Sequence, residues 1–154
     1  MKKWLANSIA VEFISALLIL LFVYTAVSKI FEGPRFAGAL SKSTLIADYA
    51  TTLAVALPAV ELVIALFLLS PRWRTLGLYA SAFIMTVFTM YLAYMIIFAP
   101  TLPCTCGGVL RQLSWNQHLV FNSGFTMLAG LGIYLQTKGA NDDKDHSKQN
   151  PVAI

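Results

Sequence analysis

The sequence predicts an all-α membrane protein, a four-transmembrane-helix bundle with an external Cys-x-Cys loop before the fourth helix. Three observations carry this. The 154 residues are 58% hydrophobic and only 12% charged, whereas soluble domains have about 45–50% apolar and about 25% charged residues. Four apolar runs, near Ile9–Ile30, Ala50–Leu69, Leu76–Phe98 and Gln117–Leu135, each approach the ~20 residues that cross a hydrocarbon core. The remaining polar residues gather in the connections and tail, and both cysteines fall in one connection.

The first run follows Met1-Lys2-Lys3 and so resembles a secretory signal. It exceeds the usual apolar core of about 7–15 residues, and Glu12 interrupts it, so it reads as a retained helix. Amphipathic helices of a soluble protein would carry charges every third or fourth position, and these runs do not. In lipid, only helices and closed barrels satisfy every backbone group. The division expected is 1–137 for the membrane domain and 138–154 for a polar, disordered cytoplasmic tail.

Orientation follows from the cations. With the amino terminus inside, the inner side holds Lys2, Lys3, Arg72, Arg74, Lys138, Lys144 and Lys148, and the outer side Lys29, Arg35, Lys42 and Arg111. That excess of inner cations puts both termini in the cytoplasm. Ser70-Pro71 suits the N-cap and first position of the third span. Between the first two spans, Gly33-Pro34 opens an amphipathic stretch to Leu40 that would lie along the interface. The cations are scattered, without the basic stripe of a nucleic-acid reader, so no nucleic acid is expected.

Chemistry concentrates in Pro103-Cys104-Thr105-Cys106-Gly107-Gly108. Prolines and glycines mark an irregular loop, which disfavours simple packing. A bridge across one residue closes almost no loop and adds little stability. Residues two apart in extended chain have Cα atoms ~6.6 Å apart, near the upper disulfide limit, so the bridge needs a turn. Such a bond is easily reduced, which suits exchange. A metal would need more ligands than Cys104, Cys106 and His118, and none is expected.

Ser114-Trp115-Asn116-Gln117 fits a capping box at the start of the fourth helix. Its positive end would favour a thiolate nearby. His118 and Arg111 are candidates to assist Cys104 and Cys106; an interfacial histidine and a solvated loop arginine are the plain alternatives.

Two ionisable residues interrupt the spans. Glu61 lies three residues after Pro58, about 21 Å below Ala47 at the helical rise. That depth places it near the cytoplasm, with Glu12, Ser15, Tyr79, Ser81 and Tyr134 as candidate neighbours, too far from the cysteines to act on them directly. It either fixes packing as a hydrogen-bonded carboxyl or relays protons. Lys29 either snorkels, pairs with Asp48, or faces the cysteine loop. With Tyr91, Tyr94, Asn122 and Ser123 it could line a shallow pocket for a quinone head group, although an aromatic belt also explains the tyrosines.

Taken together, Tyr24-Thr25-Ala26-Val27-Ser28-Lys29, Phe36, Leu40, Leu57-Pro58-Ala59-Val60-Glu61-Leu62 and the cysteine loop resemble the MauE branch of the DoxX-like membrane proteins. The resemblance implies a four-helix inner-membrane protein tied to disulfide chemistry outside the cytoplasm, beside a thioredoxin-like partner or a cysteine-containing substrate. It also implies Cys104 and Cys106 as redox centre, with Lys29, Pro58 and Glu61 as family positions and a quinone as acceptor. The chain has no second cysteine pair of the kind found in DsbB-like proteins. A docking subunit and a small transporter using Glu61 are the alternatives.

Overall fold

The structure, a computed structural model, describes residues 2–43, 45–98 and 114–149. The helices are α1 (Lys2–Phe31), α2 (Gly33–Leu40), α3 (Ala50–Leu69), α4 (Arg74–Phe98) and α5 (Trp115–Gln149), with a 3-10 turn over Ala47–Tyr49 before α3. Candidate membrane spans run Ser8–Phe31, Ala47–Leu69, Arg74–Phe98 and Asn116–Gly139. All four contain the apolar runs read from the sequence.

α1 packs on α3 and α5, and α4 on α5 and α3, so α1 and α4 face each other across the bundle. Val11, Ile14, Leu18 and Phe22 recur at three- and four-residue intervals on α1 and bury against Ile64, Ala65 and Leu68 of α3. Leu78 and Met85 of α4 and Ala129 of α5 complete that core. The outward faces are equally apolar, with Phe13, Val55, Phe83 and Met127 all exposed. A helix that is apolar all round has lipid as its outer solvent. Hydroxyls within the spans bond back to carbonyls four residues earlier, as Thr86 and Ser123 do, while Thr89 and Thr126 meet across α4 and α5 at 3.3 Å.

One end of the bundle, the lower, joins the starts of α1 and α4 to the far part of α5. Glu12 lies 3.6 Å from Arg74, and Gln136 reaches Thr75 at 3.5 Å. The α3–α4 turn lies here, but not as the sequence suggested. Ser70 ends α3 with an extended backbone (φ −85°, ψ 119°) rather than opening α4. Pro71 restricts the residue before it to that region. A turn closed by the Trp73 amide on the Ser70 carbonyl (3.0 Å) then delivers α4 at Arg74. Trp73 stacks on Phe67, centroids 6.0 Å apart.

α3 and α4 come close together at Gly77, where a Cβ would stand 2.9 Å from the Leu68 backbone nitrogen. Backbone cannot yield as a side chain can. Gly77→Val is expected to lower stability by about 1–3 kcal/mol, the usual cost of overpacking, measurable as a shifted unfolding midpoint in mixed micelles. Gly132→Ala meets only side-chain ends of Leu78 and Ile14, and serves as the milder control.

At the upper end α2 starts with Pro34 in its first turn and buries Phe36 and Leu40 against Ala50, Leu53 and Leu57 of α3. This is the amphipathic stretch read from the sequence, packed on protein. α5 continues beyond its span through Lys138 to Gln149, where composition had suggested disorder. Adding a residue to an existing helix costs far less than nucleating one, and the first proline after the span is Pro151.

Candidate functional site

Lys29 occupies the last turn of α1, where a cation is favoured by the helix dipole. Its side chain turns inward rather than snorkelling, and Nζ lies 2.6 Å from Oε1 of Glu61 on α3. The ammonium also sits 5.9 Å from the Phe36 ring centre on α2 and 5.8 Å from that of Phe88 on α4, within cation–π range. One lysine thus links four helices. Glu61 is 2% exposed, and its second oxygen, Oε2, has no hydrogen-bond partner among the described residues. The Thr25 hydroxyl is within hydrogen-bonding reach of both the Phe22 carbonyl (3.2 Å) and the Glu61 carboxylate. Burying such a pair costs desolvation energy that mutual attraction does not reliably return, so its presence points to use rather than to support.

The pair borders a cavity of about 240 Å³ in the upper half of the bundle. Lys29, Glu61, Thr25, Tyr91, His118 and Asn122 provide its polar groups. The rest of the wall is apolar, including Phe22, Leu57, Met85 and Phe88. Below it the bundle is filled by Leu18, Leu68 and Leu78, each at most 1% exposed.

α5 brings His118 and Asn122 to the cavity one turn apart. It starts as the capping box requires. The Ser114 amide donates to Gln117 Oε1 (2.9 Å), and the Gln117 amide donates to Ser114 Oγ (3.3 Å). Ser114→Ala should cost about 1 kcal/mol and raise amide exchange in the first turn of α5, including His118, while leaving α1–α3 protected. The end of α4 at Phe98 and the start of α5 are therefore the two anchors of the segment that contains the cysteines.

The family model described as methylamine utilisation protein MauE matches residues 7–135. The chain belongs to the MauE family. No curated protein and no solved structure matches it.

In this MauE-family chain, Cys104, Cys106 and Arg111 lie outside the described residues. Of the other sequence-derived candidates, Lys29, Tyr91 and His118 share the cavity with Glu61. Tyr94 does not line it; its ring packs on Phe98 (5.0 Å) and is partly exposed. Pro58 is buried within an unbroken α3, one turn before Glu61. Ser123 bonds its own helix at the Leu119 carbonyl.

The neighbours expected for Glu61 are corrected. None of Glu12, Ser15, Tyr79, Ser81 and Tyr134 is its partner: Glu12 pairs with Arg74, Ser81 bonds the Gly77 carbonyl, Tyr79 and Tyr134 point outward, and Ser15 is buried without a partner among the described residues. Counting from Ala47 assumed that all spans share one upper boundary. In fact α1 ends lower than α3 begins, and α2 fills the difference against Ala50–Leu57. Lys29 is therefore level with the middle of α3, to within the reach of its side chain. Asp48, the other partner considered for Lys29, is exposed on the 3-10 turn. A usable signal was present: a lone cation and a lone carboxylate in apolar spans are cheapest when paired. Phe88 and Thr25 had no such signal.

Proposed function

We propose that this MauE-family protein is an integral membrane thiol–disulfide redox protein of the bacterial inner membrane. Both termini are cytoplasmic and the cysteine segment faces the oxidising side. A thiolate of an extracytoplasmic thioredoxin-like protein or maturing substrate attacks the Cys104–Cys106 disulfide. This forms a mixed disulfide and releases the other cysteine as thiolate. The partner's second thiolate then resolves it, leaving the partner oxidised and Cys104 and Cys106 reduced. The dithiol returns to the disulfide by giving two electrons and two protons to a quinone, which becomes a hydroquinone.

The observation that carries this reading is the cavity. A buried ion pair with an apolar surround lies at the end of the bundle where α4 and α5 anchor the cysteine segment. Lys29, Tyr91 and His118 belong to it, and a ring of quinone size fits its volume.

The test is covalent capture. Cys104→Ser and Cys106→Ser, each alone, leave one thiol that can form a mixed disulfide by attacking the disulfide of the partner in its oxidised form, and no second thiol to carry the exchange to completion. One of the two variants should accumulate a reducible adduct with an extracytoplasmic protein, seen as a mass shift on non-reducing gels. If neither forms an adduct and both thiols stay in one redox state during growth, the docking-subunit alternative stands instead.

A further inference from the structure

We infer that Lys29 is a site of reversible covalent modification: its amine condenses with an uncharged lipophilic aldehyde that enters from the bilayer, and Glu61 is the counter-ion of the protonated imine that results. This goes beyond the thiol chemistry proposed above and does not depend on it.

The position of Lys29 Nζ comes first. The side chain is 11% exposed, and the groups placed around its ammonium belong to the cavity wall. They are Glu61 Oε1 at 2.6 Å and the ring centres of Phe36 and Phe88 at 5.9 and 5.8 Å. The same charge acts on His118, also on the wall. Nζ therefore borders the open space, and among the described residues it is the only amine that does. A lysine amine in an apolar pocket attacks carbonyl carbon once a base has taken its proton. Glu61 is in hydrogen-bond contact to do so. In such surroundings hydration does not hold the pair in its charged form, so transfer along that one hydrogen bond is cheap.

The wall sets the class of ligand. Leu57, Met85 and Phe88 are typical of its lining, which suits an uncharged, apolar body. Its volume of about 240 Å³ exceeds the roughly 150 Å³ of a cavity that holds benzene. It also reaches Val87, which is 45% exposed on the outer surface of α4, so the ligand comes from lipid. With an uncharged lipophile and no oxidant, reductant or activated leaving group, the bond an amine makes is the imine of an aldehyde.

The steps balance within the site. Glu61 takes a proton from Nζ, and the neutral amine adds to the aldehyde carbon. A proton then passes from nitrogen to the former carbonyl oxygen, giving a carbinolamine. Glu61 returns its proton to that hydroxyl, which leaves as water while the nitrogen lone pair forms the C=N bond. His118, Tyr91 and Asn122 can hydrogen-bond the departing oxygen. The product is a protonated imine beside the Glu61 carboxylate, with the net charge of the resting pair unchanged and no electrons passed to another group. The rings of Phe36 and Phe88, which face the ammonium, face this cation too.

The test equilibrates the full chain in phosphatidylcholine nanodiscs with 4-dimethylaminocinnamaldehyde. Imines are then trapped with cyanoborohydride and located by peptide mass mapping. Lys29 should carry at least about tenfold more adduct than the exposed Lys42 and Lys138, the gain expected from one charge-assisted contact between the imine and Glu61. Before trapping, the sample should show the long-wavelength band of a protonated conjugated imine. Glu61→Gln should move that band to the shorter wavelength of the neutral imine. Lys29→Arg keeps a cation for Glu61 but has no condensing amine; it should retain the helicity of the parent and lose the band. Glyoxylate, a water-soluble anionic aldehyde, should label Lys42 and Lys138 and spare Lys29.

Lys29 labelled no more than Lys42 and Lys138, a band that survives Lys29→Arg, a band unmoved by Glu61→Gln, or glyoxylate labelling of Lys29 as extensive as that of Lys42 each overturns the inference. If the imine fails while the single-cysteine variants still capture a partner, the thiol chemistry stands and this inference alone falls. If the imine forms as described and no thiol adduct ever does, the inference stands and the thiol reading falls.

Discussion

Lys29→Met is expected to destabilise the bundle by about 3–5 kcal/mol, the usual cost of removing one member of a buried ion pair. The reason lies in what is left behind. Glu61 is 2% exposed and its Oε2 already lacks a partner among the described residues. Without the ammonium, either a carboxylate stays uncompensated in an apolar cavity or it takes up a proton on folding, and both weaken the folded state. The loss should be visible as a lower unfolding midpoint in mixed detergent micelles and as reduced helicity. Lys29→Met combined with Glu61→Gln should recover most of it, because a neutral pair has little desolvation to offset. Glu61→Gln alone should cost less than Lys29→Met, since the rings of Phe36 and Phe88 still face the ammonium. If the effects of the two single substitutions simply add in the double variant, the two side chains are not energetically coupled and the pair has no special role.

The second large effect is functional and leaves the fold alone. Replacing both Cys104 and Cys106 with serine should reduce oxidation of an extracytoplasmic dithiol partner to background in membranes containing the variant. Stability should stay within about 0.5 kcal/mol of the parent, as for substitutions outside a packed core. A bridge spanning one residue closes too short a loop to stabilise the chain appreciably. Turnover is read by alkylating free thiols with a mass tag at intervals after a reductant pulse. Retention of full activity in the double variant would leave the protein as a docking subunit. A marked loss of stability would instead assign the cysteines a structural task.

The contrast between these experiments follows how each region could be read from residues. The spans were legible because nothing but lipid rewards such long apolar runs, and they recur in the structure within a few residues. The capping box was legible because Ser114 and Gln117 satisfy each other across three positions without help from elsewhere. Pro34 and the Phe36–Leu40 repeat marked α2 for the same local reason. Ser70-Pro71 was ambiguous locally, since the same pair can open a helix or close one, and the turn geometry chose the second.

The partner of Glu61 was of another kind. Both ionisable residues were conspicuous, and their joint occurrence in charge-poor spans already called for a partner. What no local rule supplied was the vertical offset between helices. That offset depends on α2 packing beside the first turns of α3, which lowers the end of α1 relative to the start of α3. Tyr91 and Tyr94 illustrate the same limit: three residues apart on one helix, one lines the cavity and the other faces out.

The sequence by itself determined a membrane protein of the MauE family with four helical spans, because hydrophobic length and local capping act along the chain. Only the tertiary structure decided that Lys29 meets Glu61 at 2.6 Å and that a cavity opens beside them. The physical reason is that apolar helices can slide past one another at little cost in hydrophobic burial. Their register is set by a few specific contacts, the close approach at Gly77, the packing of α2 and the ion pair itself, which join residues far apart in the chain.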